Sequence, residues 1–582
     1  MSTYETGNRK LPGAVIDRGQ RQFSTPDAGK PARWPLWVTL FAGIMLELLF
    51  LLIFALVPLP GLHLYSTPLL DVWVWTLAPS RWLFPEAWLA PASSSTPFLL
   101  LFAATLLALV GTYALTVIVI RRVKRVGADR DWLLLVLVGT LVFGITLLFL
   151  PKLFSDDVFS YIFSGRILSI YHLDPLNTAP FQFPSDPYLR WVISGRGAPN
   201  IYGPFWLCIS SLLVGIGASQ NADPAVTLLL FKGFMLLSHL CNCLLLWLIL
   251  GKLAPERRLV GTLLYAWNPL VLLELAGMGH YEGILLTLFL LAVFVYVWGR
   301  KYSGRWYEIA VLAIFGLATG TNLVALLITP LFVWFTLRTE NNMARAVWAF
   351  CWRMGIVLAC MILIYLPFWR GAPTFFAITS AIDMAHFVHS PLGVLVGPMR
   401  GFFSDVARWA HFPPIMQPVT AADLTLRGSA TVIFAIIYLY LFGQVRLAPV
   451  ASVAQDGVVA DKKTLIPGFD VVLSSWCGAV LAYLFLASGE FWPWYVLWVL
   501  WIVVMRRLDI LTITVLLLSS TSLFVYPLMD VTRHPVVTYL TVLIFGLPLV
   551  FLLTGSSGKH YRRRRRITER NVYDGRSEAT QD

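Results

Sequence analysis

The chain has 582 residues, of which 58% are hydrophobic and only 13% charged, against about 25% charged in an ordinary soluble domain. That balance excludes a soluble cytoplasmic enzyme, a disordered chain and a secreted disulfide scaffold, and leaves a polytopic membrane protein. The net charge of +13 raises nucleic acid as a partner, so the placement of the basic residues has to be settled first.

A hydrocarbon core of about 30 Å needs roughly 20 apolar residues to cross it. In chain order the candidates are 37–57, 98–120, 132–150, 225–250, 259–277, 283–298, 307–321, 323–336, 346–368, 429–445, 469–487, 494–505, 509–526 and 536–554. The predicted fold is all-α, a polytopic bundle of 13–14 transmembrane helices with long extracytoplasmic loops. With residues 1–36 inside, the inner segments hold 32 Lys and Arg, the outer segments 10, and the spans only Lys232 and Arg353. This is the Lys/Arg bias that sets membrane orientation. The runs 121–125 and 562–566 then read as anchors at anionic headgroups, and no nucleic-acid partner is called for.

The expected organisation is a basic cytoplasmic segment (1–36), a catalytic bundle (37–554) and a basic cytoplasmic tail (555–582). The protein is expected in the plasma membrane with both termini inside. The stretch 205–218 is apolar but short, and reads as re-entrant or as lying on the outer surface. Three outer segments are long: 58–96, 151–204 and 369–428. The first carries Trp73, Trp75, Trp82 and Trp88, a composition suited to the interface. The six cysteines all lie in apolar stretches without a CxxC pair, and read as small buried hydrophobes.

Chemistry-bearing residues concentrate in 155–206, beginning SDDVFSYIFSGR. Asp156 and Asp157 open a helical stretch, with Asp157, Tyr161 and Ser164 on one face. Capping alone would explain the aspartates, but Arg166, Asp174, Asp186, Arg190 and Arg196 follow within forty residues. Carboxylates beside hydrocarbon are costly unless used or paired, which favours a site, and Tyr202 closes the segment. A second group is GMGHYEG at 277–283, presenting His280 and Glu282 behind Glu274. A third is SGEFWPWYVLW at 488–498, where Glu490 precedes Trp494 and Tyr495. Its rings make a wall for a lipid or a platform for a sugar ring. Asp383, His386 and His389 are spaced to share one helical face but form no known metal motif, and the two histidines read as solvent-facing loop residues. The motifs require no cofactor; a divalent cation, Mg or Mn, is the one admitted.

The ordered segments DDVFSYIFSGRI…LDPL…YGPFW, WNPLVLLELAGMGHYEG and FWPWYVLW together resemble the GT-C superfamily of integral membrane glycosyltransferases. Within it the chain is most similar to bacterial polyprenol-phosphate-mannose-dependent α-mannosyltransferases and GPI mannosyltransferase I. The resemblance implies transfer of a hexose, mannose first, from a polyprenyl-phosphate donor to a glycan or glycolipid acceptor, with inversion. It matches Asp157 to the acidic residue of the first motif, with Asp156 its extra neighbour. Arg166, His280 and Tyr495 match the Arg, His and Tyr of the later ones. The chain departs from the pattern at Tyr281 and Glu282, where Asn and Asp are usual, and at Thr321-Asn322, where relatives often carry Lys. The chemistry asks for one base, Asp157, and one phosphate clamp, Arg166 or another outer Arg (190, 196, 370, 400 or 533). The remaining candidates, Tyr161, Asp174, Tyr202, His280, Glu282, Glu490, Trp494 and Tyr495, would bind substrate. A secondary transporter or lipid flippase is the alternative, because Glu47, Lys232, Glu274 and Arg353 lie within spans; it would call for repeated halves.

Orientation is testable without knowing the substrate. A cysteine at Ser185 should react with an impermeant thiol reagent in intact cells; labelling only after permeabilisation would reverse the topology.

Overall fold

The computed structural model describes residues 34–56, 96–122, 129–150, 155–193, 195–219, 223–301, 306–376, 387, 390–411, 418–450, 466–529 and 542–555. The interfacial tryptophans of 58–96, the group Asp383, His386 and His389, Arg533, and most of the two terminal segments lie outside these residues.

Helix follows helix, with no β-sheet among the described residues. The first three are α1 (Trp34–Leu56), α2 (Thr96–Arg121) and α3 (Asp129–Leu148). Next come α4 (Asp157–Ser169), α5 (Pro204–Ser219) and α6 (Pro224–Leu253). A broken span follows, α7 (Arg258–Ala266) and α8 (Pro269–Leu272), which runs on as a π turn over Leu273–Gly277. After it stand α9 (Glu282–Gly299), α10 (Trp306–Thr321), α11 (Ala325–Thr336) and α12 (Met343–Tyr365). The last group is α13 (Gly393–Trp409), α14 (Pro418–Arg446), α15 (Phe469–Ala482), α16 (Leu497–Val503), α17 (Ile510–Ser522), α18 (Val525–Met529) and α19 (Val542–Gly555).

Among the described residues nine helices are long and apolar enough to cross a membrane, or ten if the broken pair α7–α8, bent by 50°, is one span. The expected spans at 307–321, 323–336, 494–505 and 536–554 appear as shorter apolar helices. The stretch 205–218 forms α5, another short helix, which packs along α4. The molecule is a multi-pass membrane protein. Helices α6, α9, α15 and α17 are mostly buried, whereas α12 and α14 stand at the perimeter with residues such as Leu363 and Ile436 exposed. Lipid is the solvent of such faces, which have no need of a protein partner.

Local sequence explains the breaks that matter. Asn268 accepts from the backbone N–H groups of Leu270 and Val271, and Pro269 occupies the first helical position, where a missing N–H costs nothing. Asp223 with Pro224 starts α6 in the same way. The kink between α7 and α8 is wedged by Trp267, whose Nε1 donates to the Val136 carbonyl of α3 at 3.1 Å. Lys232, in the middle of α6, closes the end of α3: its Nζ donates to the carbonyls of Leu147, Leu148 and Leu150 at 3.2, 3.0 and 2.5 Å. A cation on the C-terminal carbonyls of a helix suits its dipole.

Two glycines bring the connections at one end of the bundle together. Gly203 lies so close to the end of α10 that a Cβ would meet the carbonyl oxygens of Gly320 and Thr321. Gly279 has φ +76°, a conformation open to glycine without strain. That turn returns the chain after the π turn and aims His280 back toward α4.

Candidate active site

The N-terminus of α4 carries the first pair of carboxylates. Ser155 Oγ accepts from the Asp157 backbone N–H at 3.1 Å. Asp156, although at the capping position, makes no side-chain cap; its Oδ2 accepts from the Ile193 N–H at 3.0 Å instead. The aspartates therefore do more than start a helix. Asp156 ties α4 to the segment 189–193, which leaves Asp157 to turn toward the next connection.

There it meets His280. The Nδ1 atom of His280 lies 3.8 Å from Asp157 Oδ2, 3.9 Å from Glu282 Oε2 and 3.4 Å from the Tyr161 hydroxyl. On the other edge of the ring, Nε2 lies 3.3 Å from Glu274 Oε2. That approach makes no hydrogen bond, and Glu274 Oε2, His280 Nε2 and Glu282 Oε2 are all buried without a hydrogen-bond partner among the described residues. Glu274 is anchored through its other oxygen, which accepts from the Tyr526 hydroxyl at 2.6 Å. The π turn over 273–277 carries Glu274, and a second one, Tyr483–Ala487, leads into the segment with Glu490. Such bulges occur often at functional sites.

Aromatic rings enclose the cluster. His280 stacks on Trp494 at 4.1 Å and Trp494 on Trp492 at 5.1 Å. Tyr495 stacks on Trp498 at 4.1 Å. On the α4 side, Tyr161 stands edge-on to Tyr202, Trp206 and Tyr281 at 4.7, 5.4 and 5.6 Å. Glu490 accepts from Trp492 Nε1 at 3.4 Å.

Burial sets the protonation of the two groups that meet at the centre. It holds the His280 ring down at about 3, so the imidazole is neutral at physiological pH. Burial first, then the Asp156 carboxylate, pushes the Asp157 carboxyl up to about 7, and the Ser155 hydroxyl partly offsets this. Removing a charged form from water disfavours it, whatever its sign.

The structure thus brings together Asp157, Tyr161, Tyr202, His280, Glu282, Trp494 and Tyr495. Two of the expected residues are placed elsewhere. Arg166 sits nine positions after Asp157, about 180° around a helix. Its Nε and Nη2 donate to Asp186 Oδ2 at 3.0 and 2.8 Å, and its guanidinium lies 4.1 Å over the Tyr188 ring. Asp186, also held by the Tyr171 hydroxyl, thus engages the guanidinium that the resemblance offers as a phosphate clamp. Asp174 accepts from the Leu176 N–H and from Asn177, which makes it a turn-former in its own loop.

Tyr526 belongs to the cluster without a local signal in the sequence, and Trp206 joins it from the end of the YGPFW segment. Glu274 was visible as a carboxylate inside a span, but its partner lies 252 residues away. Among the described residues no group of three or more His, Cys, Asp and Glu is arranged to hold a metal ion. Around His280 the reason is visible, since Asp157 and Glu282 approach one ring nitrogen and Glu274 the opposite one.

The site is thus a carboxylate beside stacked aromatic rings at one end of a helical membrane bundle. Residues 73–338 match the model of the alpha-(1→6)-mannopyranosyltransferase family, N-terminal domain, which supports an α-mannosyltransferase of GT-C-like kind. Comparison with curated proteins and with solved structures gives no match.

A base works only when ionised. If Asp157 is that base, kcat/KM for sugar transfer should fall as pH drops through about 7. The residual activity of Asp157→Asn should lack this limb; a flat profile in the wild type between pH 6 and 8 would contradict the assignment.

Proposed function

We propose that the protein transfers mannose from a polyprenyl-phosphate donor to a glycan or glycolipid acceptor on the extracytoplasmic side, with inversion and with Asp157 as base. One observation carries the choice of Asp157. Its side chain is 19% exposed, while those of His280, Glu274 and Glu282 are 0%, 0% and 1% exposed. An acceptor hydroxyl arriving from outside reaches Asp157 before His280, Glu274 or Glu282.

In the step, the acceptor O–H gives its proton to the Asp157 carboxylate as its oxygen attacks the anomeric carbon. The bond from that carbon to the phosphate oxygen breaks, and polyprenyl phosphate leaves. Attack from the opposite face turns a β-linked donor into an α product. The transition state resembles the oxocarbenium ion of glycoside hydrolysis, but a phosphate leaves without a general acid.

The lipid-borne donor is supported by the distribution of chain between the spans. The longest expected inner segment between two spans, 446–468, has 23 residues, too few for a domain that cradles a nucleotide on a helix N-terminus. Trp492 and Tyr495, the half-buried rings of the Trp492–Trp494 and Tyr495–Trp498 stacks, would supply flat faces for sugar C–H groups or prenyl units.

Purified protein should therefore transfer mannose from polyprenyl-phosphate mannose to a crude lipid acceptor. Asp157→Asn should reduce that rate by about 10²–10⁴, the usual worth of a general base, with the fold intact. Transfer from a nucleotide-linked sugar alone would reject the donor class, and near-normal turnover in Asp157→Asn would reject the base.

A further inference from the structure

The two places where the sequence departs from the resemblance, Tyr281 and Asn322, touch each other. Asn322 follows directly on α10 and Tyr281 stands just before α9, yet Asn322 Nδ2 donates to the Tyr281 hydroxyl at 2.6 Å. The orientation of the amide is set from its other end, where Asn322 Oδ1 accepts from the Val324 N–H at 2.9 Å. The NH₂ group must then face Tyr281, and the phenol oxygen must be the acceptor in that bond.

The proton of the phenol is consequently directed elsewhere. Among the described residues the Tyr281 hydroxyl has Asn322 as its hydrogen-bond partner and no acceptor for its own O–H. A hydroxyl that already accepts one bond is polarised and donates a second more strongly. Burial and the adjacent Glu282 push this phenol well above its ordinary range, so it remains protonated. Its ring is fixed: it stacks on Trp206 at 5.8 Å and stands against Tyr202 at 5.4 Å. Residue 282, the next in the chain, faces His280 beside Asp157.

A departing phosphate gathers negative charge and needs donors aimed at it. The cations on the helices nearest this site are already engaged, Arg166 by Asp186 and Lys232 by the end of α3. We propose that the Tyr281 hydroxyl, oriented by Asn322, donates a hydrogen bond to a phosphate oxygen of the lipid-linked sugar donor and of the polyprenyl phosphate left after transfer. Tyr281 contacts the substrate in this assignment, and Asn322 is a positioning residue that acts through it. The inference rests on the donor class proposed above.

The test compares binding of polyprenyl phosphate with binding of the matching polyprenol, which lacks only the phosphate. Wild-type protein should prefer the phosphate. Tyr281→Phe keeps the stacked ring and should lose that preference by about 10-fold, the scale of a hydrogen bond to a charged group, with polyprenol binding unchanged. Asn322→Ser keeps a hydroxyl able to accept from Val324 but too short to reach Tyr281. It should lose part of the preference, and the double variant should be no weaker than Tyr281→Phe. A purely structural pair would lower thermal stability and leave the preference untouched. Wild-type preference retained in Tyr281→Phe overturns this inference alone, and additive losses in the double variant overturn the coupling through Asn322. A wild type that binds both lipids equally removes the inference together with the donor class.

Discussion

An ionised group at hydrocarbon depth costs a few kcal/mol unless another group answers its charge, and the bundle is organised around that constraint. Lys232 is answered by three carbonyls at the end of α3 and Arg353 by Glu308 at 3.1 Å, while the buried Glu274 carboxyl is held by the Tyr526 hydroxyl. Each answer also fastens one helix to another. The Lys232 contact joins α6 to α3, and the Glu274 contact joins the broken span to α18. These polar groups are thus fastenings of the scaffold, and the scaffold delivers the connections of the candidate site to one end of the molecule.

The break between α7 and α8 is the hinge of this arrangement. An uninterrupted helix through 255–277 would carry Glu274 and the GHYEG turn along a different direction from the one the 50° bend sets. Asn268 and Pro269 start a new helix at a 50° angle, Trp267 wedges the gap against α3, and Gly279 turns the chain back. His280 then fills the space between Asp157 and Glu274 as a neutral spacer stacked on Trp494. Three carboxylates surround one imidazole, and solvent reaches Asp157 far more than the others. The difference in access separates a candidate base from groups that shape its surroundings.

Much of this was legible in the sequence, because hydropathy and charge bias act along the chain. Apolar runs marked the spans, and the GMGHYEG interruption marked a connection with a purpose. Residues whose partner lies far along the chain were harder to read. Arg166 had several acids within reach, and only the folded loop shows that Asp186 takes it. Asp156 looked like a helix cap until the Ile193 N–H claimed its carboxylate. Tyr526 carried no local signal, since an isolated tyrosine near a span end is ordinary. The pairing of Tyr281 with Asn322 was visible only as two separate departures from a pattern.

The central claim is that burial and a neighbouring carboxylate raise Asp157 into the range where it is a working base. Infrared difference spectroscopy across a pH titration, on wild type and Asp157→Asn, reads that ionisation without any substrate. The account predicts a protonated-carboxyl band that disappears with a midpoint near pH 7 and is missing from the variant. A wild-type spectrum identical to that of the variant from pH 5 to 9 would show Asp157 already ionised at pH 5, and would contradict the account.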